Sequence, residues 1–93
     1  MKHSKTKTSF YRRLYIAYLI DTGTNTVPAI SAETGMARRT TQDTIKALHE
    51  LGIQCNWAGP TKSGGYEIID WGPIRKGWIK SNLKHVIDVL ERG

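Results

Sequence analysis

Apolar residues recur at helical spacing in the first quarter of the chain, and the period changes further on. Phe10, Leu14, Ala17 and Tyr18 fall on one stripe, and Thr8 or Ser9 can cap the turn before them. That spacing predicts a helix over residues 8–20. Tyr11, Tyr15, Ile16 and Ile20 add apolar surface off the stripe, more than a single buried contact uses. Asp21-Thr-Gly-Thr-Asn25 is turn chemistry. A short helix is expected next, capped by Thr26, with Pro28 tolerated in its first turn, Ile30 facing inward and Thr34-Gly35-Met36 as its stop. Helical period returns from about Arg38 to Leu51, with Thr41, Ile45 and Leu48 on one side, and Gly52 supplies a C-terminal signal.

The period then becomes two. Ile53, Cys55 and Trp57 alternate with Gln54 and Asn56, and Tyr66 to Asp70 is a second strand candidate. Residues 58–65 between them, rich in Gly and closed by Gly64-Gly65, suit an extended hairpin tip. Trp71-Gly72-Pro73 ends the strand. One last helix follows, starting between Pro73 and Trp78 and marked by Ile79, Leu83, Val86, Ile87 and Leu90. The fold class expected is mainly α with a small antiparallel β-hairpin, in the order α-α-α-β-β-α. Residues 1–8 read as a flexible basic tail, 9–72 as the domain, and 73–93 as a C-terminal helix available for dimerisation.

Length and composition narrow the function classes. Ninety-three residues make one small domain, too short for a multidomain enzyme. No apolar run approaches the ~18 residues of a membrane span, and no hydrophobic stretch follows the polar start as in a signal peptide. One cysteine, Cys55, excludes an internal disulfide and a multi-cysteine zinc site, which fits a reducing cytoplasm. Fourteen Lys and Arg against eight Asp and Glu give a net charge of +6, which favours an anionic partner. The excess is concentrated before Asp21, in Lys2, Lys5, Lys7, Arg12 and Arg13, with further clusters at Arg38-Arg39-Lys46 and at Arg75, Lys76, Lys80 and Lys84.

Two helices joined by a Gly-containing turn and followed directly by a hairpin form the plan of a winged helix-turn-helix domain. The run Ile30-Ser-Ala-Glu-Thr-Gly-Met-Ala-Arg-Arg-Thr-Thr-Gln-Asp-Thr-Ile-Lys-Ala-Leu-His-Glu-Leu-Gly-Ile53 resembles bacterial winged-helix transcriptional regulators. Gly35 stands at the turn, Met36 follows it, and Leu51-Gly52-Ile53 ends the second helix as in that family. Tyr66-Glu67-Ile68 resembles the returning wing strand. The resemblance covers roughly residues 10–70 and implies binding of double-stranded DNA and a role in transcription. Ala37 departs from the pattern, standing where a Ser or Thr cap is usual, and Asp43 places an acid where such proteins often carry a basic or small residue.

A helix starting near Arg38 turns Arg39, Gln42, Asp43, Lys46 and Glu50 away from the Thr41–Ile45–Leu48 stripe. In a major groove Arg reads guanine, Gln reads adenine and Asp accepts from cytosine. Arg38 and Thr40 in the first turn can reach phosphates or base edges, Lys62 at the hairpin tip can contact phosphate or enter the minor groove, and Lys5 and Lys7 can do likewise from a flexible arm. The same face also reads as a solvated surface, because Arg39–Asp43 and Lys46–Glu50 have the spacing of ion pairs. A protein-binding winged helix and a non-specific nucleic-acid binder are therefore the competing readings.

Enzymatic readings fare poorly. His3, His49 and His85 lack metal-ligand spacing, and Gly65 stands where a phosphate loop beginning at Gly59 needs lysine. No cofactor is implied. The surplus apolar residues on the first helix, with Trp78 and Val89 off the Ile79–Leu83–Val86–Leu90 line, predict a two-fold homodimer through the first and last helices.

Overall fold

The computed structural model describes residues 3–92. Helix α1 spans Lys5–Asp21, α2 Val27–Thr34 and α3 Arg38–Ala47, followed by a 3₁₀ turn over Leu48–Leu51. Strands β1, Gln54–Ala58, and β2, Gly65–Asp70, form an antiparallel hairpin, and α4, Lys76–Ser81, and α5, Leu83–Arg92, close the chain. The expected fold class holds, with one addition: the single last helix is two. Asn82 breaks it by donating its side-chain amide to the Trp78 carbonyl at 2.8 Å, a local bond that competes with continued helix.

The expected tail over 1–8 is corrected. α1 begins at Lys5 because Ser4 Oγ accepts from Lys7 N at 3.1 Å, and buried Thr8 is satisfied by its bond to the Ser4 carbonyl. Neither Thr8 nor Ser9 is the cap. Lys2 lies outside the described residues.

α1 is the central element. Ile16, Ala17, Leu19 and Ile20 join Ile30, Ile45, Leu48, Ile53 and Cys55 in the core beneath α2, α3 and the hairpin. Leu14 is buried on another side of α1, where α4 and α5 pack and contribute Ile79, Val86 and Val89. This corrects the reasoning toward a dimer. Val89 is fully buried, and α5 of the same chain packs on α1, although Phe10 near the start of α1 stays exposed. Lys76 Nζ pairs with Asp21 Oδ2 and ties α4 to the C-terminal end of α1.

Local chemistry fixes the remaining angles. Thr26 caps α2 by accepting from Ala29 N, and Gly35 ends α2 in the left-handed region at φ +76°. Across the turn the Ser31 hydroxyl donates to the Met36 carbonyl, and Thr34 Oγ1 accepts from Met36 N at 3.1 Å. α3 therefore leaves α2 at a set direction. The hairpin is tied to the α1–α2 loop by Asn25, whose carbonyl accepts from Tyr66 N and whose side chain donates to the Tyr66 carbonyl. One asparagine here does the work of a third strand. Gly65 lies against it, and a Cβ at that position would collide with the Asn25 amide.

The hairpin pairs Cys55 with Ile68 and Trp57 with Tyr66. Cys55 faces the core as alternation predicts, whereas Trp57 lies past its edge, stacked edge-on against Tyr66 at 5.0 Å and donating to the Pro60 carbonyl. A register shift between Gln54 and Cys55 leaves Ile69 without a cross-strand partner, and its side chain is exposed.

Candidate nucleic-acid interface

α3 has a sharply divided surface. Thr41, Thr44 and Ile45 are buried, and the two threonine hydroxyls donate to the Ala37 and Thr40 carbonyls, so they enter the core satisfied. Arg38, Arg39, Thr40, Gln42, Asp43 and Lys46 are all exposed. The Thr41–Ile45–Leu48 stripe and its opposite face thus lie where helical spacing puts them.

Two details sharpen that face. Ala37 makes no side-chain cap, so the first amides of α3 remain open beside Arg38 and Arg39, where a helix N-terminus favours an anion. Of the two expected ion pairs only Arg39–Asp43 forms, at 3.7 Å between well-exposed side chains, a contact of small energy. The Lys46–Glu50 pairing is corrected. The helix tightens to 3₁₀ after Ala47, and Glu50 pairs with Arg13 of α1 at 3.4 Å. Lys46 makes no ion pair among the described residues.

α1 supplies residues that sequence reasoning missed. Arg12 and Arg13 line a cleft of about 200 Å³ with Ser9 of α1 and Thr40, Asp43 and Thr44 of α3. Ser9 and Arg12 line a second cleft with Lys5 and His3, so Lys5, Arg12 and α3 border one continuous polar surface. The signal was present in the spacing: with Ser4 as cap, Lys5, Ser9 and Arg12 share one helical face. Lys7 does not join them. Two residues from Lys5 is about 200° of helical rotation, and Lys7 Nζ sits 5.7 Å from the Tyr11 ring centre, on the side of Trp78 and His85. Lys62 stands at the exposed hairpin tip, the only charged residue of the loop from Gly59 to Gly64.

Among the described residues no group of three His, Cys, Asp or Glu side chains is placed to hold a metal ion. No helix of the described chain is long and apolar enough to cross a membrane. Burial pushes the Cys55 thiol up to about 11, helped by the charge of Glu67, which leaves the thiol protonated.

A family model described as winged helix-turn helix matches residues 5–90. The chain belongs to the winged helix-turn-helix family. This winged-helix protein is also similar to the crystal structure of a DUF2131 family protein from Shewanella amazonensis SB2B, at 32% identity and a TM-score of 0.90. The match covers 97% of this chain and 96% of that one. No curated protein matches the sequence. The family match takes in α4 and α5 as well as the hairpin, in keeping with their packing on α1. Membership of a winged helix-turn-helix family points to DNA as the partner.

Proposed function

We propose that this winged-helix protein binds double-stranded DNA in a sequence-specific manner and regulates transcription, without catalysing a reaction. The observation that supports the reading is the division of α3. One face is locked to the core by Thr41, Thr44 and Ile45, and the other offers Arg38, Arg39, Thr40, Gln42 and Lys46 to a partner. A helix so fixed presents Arg and Gln in a constant register to base edges, and such contacts carry specificity. In this reading Arg39 and Gln42 read bases, Asp43 orients Arg39 or accepts from cytosine, and Arg38, Thr40 and Lys46 meet phosphate. Lys5, Arg12 and Arg13 extend the phosphate contacts along α1, and Lys62 adds one from the wing.

The homodimer enters this proposal as an assembly formed on DNA. α5 packs on α1 within the chain and buries Val86 and Val89, so these two residues are not available to hold a second copy. Two copies on a palindromic site would place two α3 helices about 34–36 Å apart, one helical turn of DNA.

Selection of bound sequences from random duplex DNA tests the proposal. We expect one enriched motif. Against it, Arg39→Ala should lose about 1–3 kcal/mol of binding and relax selectivity at one base pair, with unchanged folding. Failure to enrich any motif, with weak salt-sensitive affinity for all duplexes, would replace this reading with non-specific binding. No affinity for duplex DNA at all would leave the exposed α3 face to a protein partner.

A further inference from the structure

A cleft of about 310 Å³ opens between the N-terminal half of α1 and the segment that carries the chain from the hairpin into α4. Three aromatic rings border it. Tyr11 meets Phe10 and Trp78 edge-on, with ring centres 6.0 and 6.2 Å away, and buried Leu14 and Ile79 form the floor. Phe10 is left 36% exposed, one of three large apolar residues so open among the described ones. The sole charged side chain on the lining is Arg75, which is exposed and makes no ion pair among the described residues. None of these groups belongs to the α3 face.

An apolar slot with one unpaired guanidinium at its edge has the chemistry of a site for an amphipathic anion. The rings accept a planar apolar body, and the guanidinium accepts a carboxylate in a two-pronged contact. The volume lies at the small end of ligand pockets, roughly 300–1,000 Å³, which suits a single ring with a short acid arm. We propose that the cleft between α1 and α4 binds a small aromatic carboxylate, its ring on the surface formed by Phe10, Tyr11 and Trp78 and its carboxylate on Arg75. The proposal is independent of DNA binding, because it rests on residues of the opposite side of α1.

The test is a titration of the whole chain with benzoate and with phenylacetate, followed residue by residue by amide NMR. Saturable shifts are expected at residues 10–14 and 73–79, with the α3 amides unmoved. Phenylacetamide, which keeps the ring and lacks the charge, should bind at least about tenfold more weakly than phenylacetate, the loss expected for one charge-assisted contact. Arg75→Gln, at an exposed position, should weaken phenylacetate to the same extent and leave phenylacetamide unchanged. Shifts that fail to saturate, or equal affinity for acid and amide, overturn the proposal. So does movement of the same amides with protein concentration alone, accompanied by dimer in sedimentation, since a second copy then fills the cleft.

Discussion

α1 and α3 are both basic helices, and they are anchored differently. α1 carries Lys5, Lys7, Arg12 and Arg13, yet buries Thr8, Leu14, Ile16, Ala17, Leu19 and Ile20 around much of its circumference. α3 carries Arg38, Arg39 and Lys46 and buries three residues on one narrow side, two of them threonines. The difference lies in neighbours. α1 has α3 and β2 on one side and α4 and α5 on the other, so apolar residues at nearly every azimuth find a partner. α3 sits at the periphery, so a strongly one-sided pattern suffices to hold it. Charge alone therefore does not distinguish the two helices; the number of anchored sides does.

The largest effect that tests the contrast is on stability. Ile16→Ala, at a fully buried site on α1, should cost about 2–5 kcal/mol in urea denaturation, a large share of the ~5–15 kcal/mol typical of a small domain. Lys46→Ala on α3 should change stability by less than about 0.5 kcal/mol. Similar losses for both would show that α3 is not peripheral.

Next in size is the division of α1 itself. Lys5→Ala and Arg12→Ala should each flatten the slope of log affinity against log salt by about 0.9, uniformly across DNA sequences, as expected for a lost phosphate contact. Lys7→Ala should leave the slope unchanged, because its ammonium stands over Tyr11 toward Trp78 and His85. Equal slopes for the Lys5 and Lys7 variants would mean that residues 5–8 unwind on DNA into the flexible arm that their composition suggests.

The smallest effect extends the contrast to the hairpin, whose Cys55 side belongs to the core and whose Lys62 tip is exposed. The thiol holds its proton up to about 11 in the folded chain, against an ordinary value of 9.0. Between those values the unfolded chain ionises while the folded chain does not, so stability is full below pH 9 and falls as pH rises toward 11. Cys55→Ser should remove that part of the alkaline decline, and alkylation of the wild-type thiol at pH 8 should be slow until the chain unfolds.

Much of this molecule was legible in short-range pattern. The caps at Thr26 and Gly35, the Thr41–Ile45–Leu48 stripe, and the alternation through Cys55 depend on helical and strand periods that operate within a few residues. α1 was harder. Its first turn is polar, and no apolar residue between Ser4 and Ser9 extends the helical spacing back to the Ser4 cap. The break at Asn82 was missed because Leu83, Val86, Ile87 and Leu90 continue a helical pattern across it. On the candidate site, α3 was read from its own spacing, whereas Arg12 and Arg13 were passed over as diffuse charge. They gain meaning only when α1 is laid beside α3.

The sequence by itself determined the element order as far as the hairpin, the inward side of α3 and the run of cations facing away from it, since each is set by local hydrogen bonding and residue period. Tertiary structure alone decided where the surplus of α1 goes, which partner Glu50 takes, and which of Lys5 and Lys7 borders α3. Those outcomes depend on contacts between segments far apart in the chain. Val89 is buried on α1 rather than left for a second copy because α5 folds back on a side of α1 that no local pattern could assign.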